Sequence, residues 1–260
     1  MPFILGVRVD AVKKGELELK LKSFLAEDRL HKVFTPNAEI ILEAHRDQNF
    51  RACLNSGDLN IADGVSVLFA SRFLRFLKTK SHQELNTKVA QKIENRVPGV
   101  EVLLLLCKIA TEEGKSVLFY GAGAGVAEKA AGVMRKVFVG LDVKGLDPGV
   151  VDLARTATWG GPNVDCDFAP DILAVALGHP KQEQFICSMA EEWPGVKIAI
   201  GVGGALDYIS GNVKRAPKWM RRLGFEWLYR LYQQPKRIGR IFNAVVVFPL
   251  VVVWDKIRSL

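Results

Sequence analysis

The sequence predicts an α/β fold: a mostly parallel sheet with helices on both faces, Rossmann-like, followed by a basic amphipathic helical C-terminal appendage. Three observations predict it. Short β-branched runs alternate with helical patterns along the first 210 residues. Most of these runs stop at a small or polar residue suited to opening a helix. Finally, residues 211–240 carry a net charge of +8, whereas residues 1–210 sum to −1. Strand, special residue, helix, repeated, is the pattern of parallel strands joined by helical crossovers. The charge break divides the chain into 1–210 and 211–260.

The elements follow in order. Met1 to Asp10 reads as a first strand, too short and too soon charged for a signal peptide. Val33-Phe34-Thr35 is the next run, with Thr35 as helix cap and Pro36 in the first turn. Leu59 to Ala62 ends at Asp63-Gly64, and a helix through Phe69 and Phe73 follows. Arg72 to Pro98 is polar and mixed in charge, and reads as a mobile loop or surface helix over the sheet rim. The apolar run Val100 to Ile109 rejoins the core. Ser116 to Tyr120 ends at Gly121-Ala-Gly-Ala-Gly125, with a helix through Ala127, Ala130, Ala131 and Met134. Asp171 to Leu177 ends at Gly178-His179-Pro180, with a helix through Phe185 and Met189. Lys197 to Gly201 ends at Gly203-Gly204.

Beyond Gly211, Pro217 starts a helix and Pro235 stops one. Met220, Leu223, Trp227 and Leu231 recur at helical spacing, interrupted by Gly224 and laced with nine Lys and Arg residues against the single acid Glu226. A basic, aromatic segment on a neutral body points to an anionic surface or an anionic substrate. Ala244 to Trp254 is an apolar run of eleven residues, short of the twenty or so needed to span a bilayer. It either lies in the bilayer interface or caps the core. An apolar content of 49% over 260 residues excludes a disordered chain. The cysteines at 53, 107, 166 and 187 form no CxxC, and read as isolated buried thiols in a reduced cytosol.

In open α/β sheets ligands bind beyond the carboxyl ends of the strands. Thr35, Asn37, Asp63, Gly121, Gly123, Gly178, Gln182, Gly203, Gly204 and Asp207 follow the strand runs and are expected on that rim. Asp63 is a candidate general base there, because a rim carboxylate can accept a proton from a bound hydroxyl. Lys181 and Gln182 head a helix, where a diphosphate docks readily. The Gly121 turn resembles a dinucleotide fingerprint, but Val126 breaks GxGxxG. A nucleotide-binding oxidoreductase is one alternative, and a non-catalytic membrane-surface or nucleic-acid module another. Asp165-Cys166-Asp167 spells DxD but precedes a strand, and reads as a solvated loop. The histidines at 31, 45, 82 and 179 have no metal-ligand spacing, so no metal is expected.

Taken together these segments resemble the WecG/TagA/CpsF family of bacterial glycosyltransferases. The matching stretches are Ile4 to Asp10, Thr35-Pro-Asn37, Asp63-Gly-Val-Ser66, Gly178-His-Pro-Lys-Gln-Glu183, Gly201-Val-Gly-Gly-Ala-Leu-Asp207, and Val213 to Met220 through Leu223 to Arg230 and Pro235 to Arg237. The resemblance implies an inverting transferase that needs no metal or other cofactor. It implies transfer of N-acetylmannosamine or a related hexosamine from a UDP donor to N-acetylglucosamine on undecaprenyl diphosphate. The products would feed wall teichoic acid, enterobacterial common antigen or capsule. Residues 1–210 would be the catalytic domain, and 211–260 would contact membrane and substrate at the cytoplasmic membrane face, with no nucleic acid partner. The resemblance places the base on Asp63 and substrate contacts on Thr35, Asn37, Arg96 and Gln182. Gly121, Gly178, Gly204 and Asp207 are expected beside them, and Arg215, Arg222 and Arg230 to face the diphosphate. This chain departs from the family at Glu101, His179, the length between Ser71 and Arg96, and the apolar tail.

Overall fold

The structure is a computed structural model that describes residues 2–81, 93, 96–147, 168–188, 193 and 195–258, apart from the side chains of Lys14, residues 77–81 and Arg222. Asp165 to Asp167, His82 and most of the polar segment before Arg96 lie outside the described residues.

The chain opens with β1 (Phe3–Ile4) and β2 (Val7–Arg8), an antiparallel pair turned by Leu5 and Gly6 at φ 50° and 81°. Two successive positive φ values are what a tight two-residue hairpin requires. The N-terminal run is therefore a separate hairpin, not a strand of the main sheet as its pattern suggested. It meets that sheet at β4, through a bridge from Asp10 to Ile61 and hydrogen bonds between Asn60 and Arg8 and Asp10.

The remaining elements are α1 (Lys14–Ala26), β3 (His31–Phe34), α2 (Ala38–Arg46), α3 (Gln48–Asn55), β4 (Leu59–Asn60), α4 (Val65–Ser81), α5 (Gly99–Glu113), β5 (Ser116–Gly121), α6 (Val126–Val137) and β6 (Asp142–Leu146). They continue with β7 (Ile172–Ala176), α7 (Lys181–Ser188), β8 (Ile198–Gly201), α8 (Ala205–Ile209), α9 (Lys218–Leu223) and α10 (Glu226–Gln233). A helix over Pro235–Arg258 ends the description, as a 3-10 turn (Pro235–Arg237), α11 (Ile238–Phe242), a π turn (Asn243–Val247) and α12 (Phe248–Arg258).

The sheet has six strands in the order β4-β3-β8-β7-β5-β6, and every neighbouring pair is parallel. Side chains alternate across it with the two-residue period of a strand. On β5, Val117 and Phe119 enter one core with α1, α5, α6 and α8; Leu118 and Tyr120 enter the other with α2, α3, α4 and α7. Burial on both faces explains the unbroken apolar run of β7. β6, an edge strand of sequence DVKGL, carries no such run and escapes a reading by apolar pattern. Its Gly145 is obligatory, since a Cβ there would lie 2.2 Å from the backbone nitrogen of Glu128.

Two sequence readings need correction. Thr35 does not cap α2; Asn37 does, its Oδ1 accepting from the backbone N–H groups of Glu39 and Ile40 at 3.0 and 3.1 Å. Nor are all the cysteines isolated. Cys53 of α3 and Cys187 of α7 form a disulfide across 134 residues of sequence, while Cys107 is free and buried. The pairing follows from packing α3 on α7, which residue spacing does not reveal. The expectation of a reduced compartment loses the support it drew from unpaired thiols.

In the tail, α9 ends at Gly224 in the left-handed region (φ 81°) and α10 ends just before Pro235, as the breakers require. The last helix is long and apolar enough, by length and composition, to cross a membrane. One stripe of it nonetheless caps the core: Phe248 is fully buried and Val252 nearly so against the α2 and α4 side. The opposite stripe, with Leu250 and Trp254 each more than 60% exposed, faces outward. Phe248→Ala is expected to destabilise the protein by about 3–5 kcal/mol in chemical denaturation, and Leu250→Ala by about 0.5 kcal/mol or less. Equal effects would show that the helix does not pack on the body.

Candidate active site

Beyond the carboxyl ends of β3, β4, β7 and β8 lies a cavity of about 320 Å³, closed on its open side by α10, α11 and the π turn. Thr35, Asn37, Asp63, Arg96, Gly178, Gln182, Gly204 and Arg230 all line it. They come from six separate stretches of sequence, and the parallel topology puts them together by ending the strands at one rim.

Each is held by its local structure. Thr35 follows β3 and donates its hydroxyl to the Gly201 carbonyl at the end of β8, at 3.2 Å. Asn37 spends its carbonyl oxygen on the α2 cap, leaving its amide nitrogen as the end free to donate. Asp63 follows β4, its N–H bonded to the Pro36 carbonyl at 3.0 Å. Gly64 (φ 108°) then turns the backbone into α4. Among the described residues the Asp63 carboxylate has one weak partner, the Gly99 N–H at 3.5 Å. Burial pushes its pKa up to about 6; the Gly99 N–H opposes this, the Glu226 carboxylate adds to it, and Arg96 and Arg230 counter it. A half-buried carboxyl so poised takes up and gives back a proton near neutrality.

The same cavity carries a cluster of cations. Arg230 stands over the Tyr208 ring at 5.5 Å, and its Nη2 lies 2.9 Å from where a Cβ on Gly204 would be. Glycine at 204 is thus what lets the guanidinium approach the rim. Arg237 and Arg240, one helical turn apart, also line the cavity. Burial lowers the pKa of Arg237, and the charges of Arg230 and Arg240 lower it further, the signature of a gathering of like charges. An anion placed among them would relieve that repulsion.

The same residues bind the tail to the body. Arg96 donates to the Arg221 carbonyl at 2.7 Å and lies 3.7 Å from the Glu226 carboxylate. Arg240 forks onto Glu39 in the first turn of α2, at 2.6 to 3.2 Å, and donates to His179 Nδ1 at 3.1 Å. His179 precedes Pro180 through a cis peptide bond. Burial lowers its pKa most, Glu39 works against that and Arg240 with it.

Not every expected residue lines the cavity. Gly121 closes β5 on the same rim but is absent from the lining, and its turn packs against Ala176 and Leu177 of the next strand. Asp207 sits behind Gly204, and Arg215 is engaged by Glu101 at 3.3 Å and Glu226 at 3.8 Å. The Arg222 side chain lies outside the described residues. Conversely, Glu39, His179, Tyr208, Glu226, Arg237 and Arg240 line the cavity without having been singled out as site residues. Pro235-Lys-Arg237 stood in a matching stretch, and Arg240 closes the basic run; only the docking of the last helix brings them to the rim. Among the described residues no group of three or more His, Cys, Asp or Glu side chains is arranged to hold a metal ion.

Known proteins are similar to this sequence. A curated relative from Bacillus spizizenii, N-acetylglucosaminyldiphosphoundecaprenol N-acetyl-beta-D-mannosaminyltransferase, is 30% identical over 85% of this chain and 78% of its own. Proteins of the same name from Bacillus subtilis and Staphylococcus aureus are 28% and 30% identical, over 90% and 94% of this chain and 81% and 89% of theirs. The profile of the family described as "Glycosyl transferase WecG/TagA/CpsF family" matches residues 3–260. The chain belongs to that family of glycosyltransferases.

Proposed function

We propose that this protein is an inverting glycosyltransferase that moves N-acetylmannosamine, or a closely related hexosamine, from a UDP donor to N-acetylglucosamine on undecaprenyl diphosphate. The observation that carries the reading is one carboxyl with a raised pKa, Asp63, lining the same cavity of about 320 Å³ as a cluster of guanidiniums. The names of the relatives supply the sugar and the acceptor.

In this reading the acceptor hydroxyl lies against Asp63. The carboxylate takes the proton as the oxygen attacks the anomeric carbon. The bond from that carbon to the donor diphosphate breaks on the opposite face, so the configuration inverts. The transition state is oxocarbenium-like, and negative charge gathers on the departing UDP. Arg230 and Arg237, with Arg96 nearby, oppose that charge from fixed positions, the role a metal ion plays in other transferases. Thr35, Asn37, Gln182 and the Gly178 and Gly204 turns shape the seat between base and cations. Arg215 braces Glu226 and the tail from behind.

The lipid-linked acceptor sets the location: peripheral attachment to the inner face of the cell membrane. The exposed stripe of the last helix (Ile238, Phe242, Leu250, Trp254) and the exposed Trp219, Leu223 and Tyr232 supply apolar contact. Lys218, Lys236 and Lys256 lie among them and attract anionic lipid, at about 1 kcal/mol per basic residue near the surface.

Three measurements test this. UDP release from a panel of UDP-hexosamines, with a lipid diphosphate acceptor, is expected to favour the N-acetylmannosamine donor; Asp63→Asn should lower kcat by about 10²–10⁴. A loss of tenfold or less would remove Asp63 from the role of base. Because the base works as the carboxylate, kcat/KM should fall as pH drops through about 6 and approach tenfold per pH unit below it. A flat profile down to pH 5 would contradict this. Leu250→Glu combined with Trp254→Glu should release the protein from vesicles rich in phosphatidylglycerol while leaving thermal unfolding little changed; retained binding would move the membrane contact elsewhere.

A further inference from the structure

Gln182 and Glu183, adjacent at the start of α7, are both nearly fully buried polar residues, at 3% and 1% exposure. Gln182 is tied at both ends of its amide. Its Oε1 accepts from the Gly203 N–H at 2.9 Å, and its Nε2 donates to Glu183 Oε1 at 2.7 Å. The second carboxyl oxygen of Glu183 is buried without a hydrogen-bond partner among the described residues.

An amide has two nearly isosteric ends, one accepting and one donating. The Gly203 N–H fits only the oxygen end of the Gln182 amide, but that single bond leaves the Nε2 end unanchored. Flipped, it would set two donors against each other and release the Val202-Gly203-Gly204 wall of the cavity. An acceptor at Glu183 makes only the correct orientation favourable. The consequence reaches the cations, because Arg230 packs on the bare Cα of Gly204. The end of β8 is shaped to match: Gly201 leaves the space the amide fills, and a Cβ there would lie 2.9 Å from Gln182 Nε2.

We infer that Glu183 is a positioning residue, which locks the Gln182 amide so that the Gly203-Gly204 turn holds Arg230 in place for the diphosphate of the donor. Burial raises the Glu183 pKa to about 7, with the Gln182 amide and its own backbone N–H opposing. Either protonation state retains an acceptor oxygen for Gln182, so the lock does not depend on charge. The inference rests on the cavity being the donor site, and adds a residue that touches no substrate.

The test measures UDP affinity by titration calorimetry and steady-state kinetics with the UDP-hexosamine the enzyme turns over. Glu183→Leu removes the acceptor and should weaken UDP binding and raise the donor KM by about tenfold, with kcat/KM for the donor falling at least as far. Glu183→Gln offers an amide oxygen in the same place and should restore both to within about threefold of wild type. A merely structural role would lower the active fraction, and with it kcat, without moving the KM. Gly201→Ala displaces the amide without altering the carboxyl and should reproduce the raised KM, which keeps the test open if Glu183→Leu fails to fold. Wild-type UDP affinity in Glu183→Leu or Gly201→Ala would overturn the inference, as would a Gln variant as impaired as the Leu variant. Wild-type protein that binds no UDP, together with Asp63→Asn that keeps full turnover, would instead overturn the reading of the site itself.

Discussion

The rest of this structure depends on how the basic tail is held against the sheet rim. The tail carries like charges that repel one another, so it needs fixed acids and carbonyls on which to land. Glu39, at the start of α2, takes Arg240; Arg96 reaches the Arg221 carbonyl and the Glu226 carboxylate; Phe248 fills the core below. A first-turn glutamate, a loop arginine and one aromatic plug thus turn an open sheet edge into a cavity. Without them Asp63 would face water, and its pKa would lie in the ordinary carboxylate range.

The tail's one acid in the basic stretch is well placed for this. Glu226 lies beside Arg96 and Arg215 and within electrostatic reach of Asp63, whose pKa it helps to raise. The arginines nearest the cavity divide their work. Arg96, Arg215 and Arg240 are engaged by protein acceptors and hold the tail. Arg230 and Arg237 stand close together at the cavity, and the Arg237 pKa is lowered first by burial and then by the charges of Arg230 and Arg240. A site that leaves positive charge uncompensated in this way is prepared for an anion before one arrives.

The last helix serves two solvents. Its Phe248 and Val252 stripe belongs to the protein core, and its Leu250 and Trp254 stripe belongs to none of it. The sequence alone left a choice between capping the core and meeting a bilayer. The structure shows that one stripe does the first and leaves a second stripe available for the other.

Much of the rim was legible in the sequence, because parallel strands end at special residues and ligands gather where they end. Thr35, Asn37, Asp63, Gly178, Gln182 and Gly204 could be found that way, as could the breaks at Gly224 and Pro235. What stayed hidden depends on contacts between distant segments. The cap belongs to Asn37 rather than Thr35 because of backbone angles; Cys53 meets Cys187 because α3 packs on α7; β6 is an edge strand without an apolar run; and the N-terminal run turns back on itself at Leu5 and Gly6. Local chemistry and hydrophobic period are written residue by residue, so they can be read from the chain. Which arginine holds the tail and which awaits the ligand depends on three-dimensional distances between charges, and only the folded chain decides those.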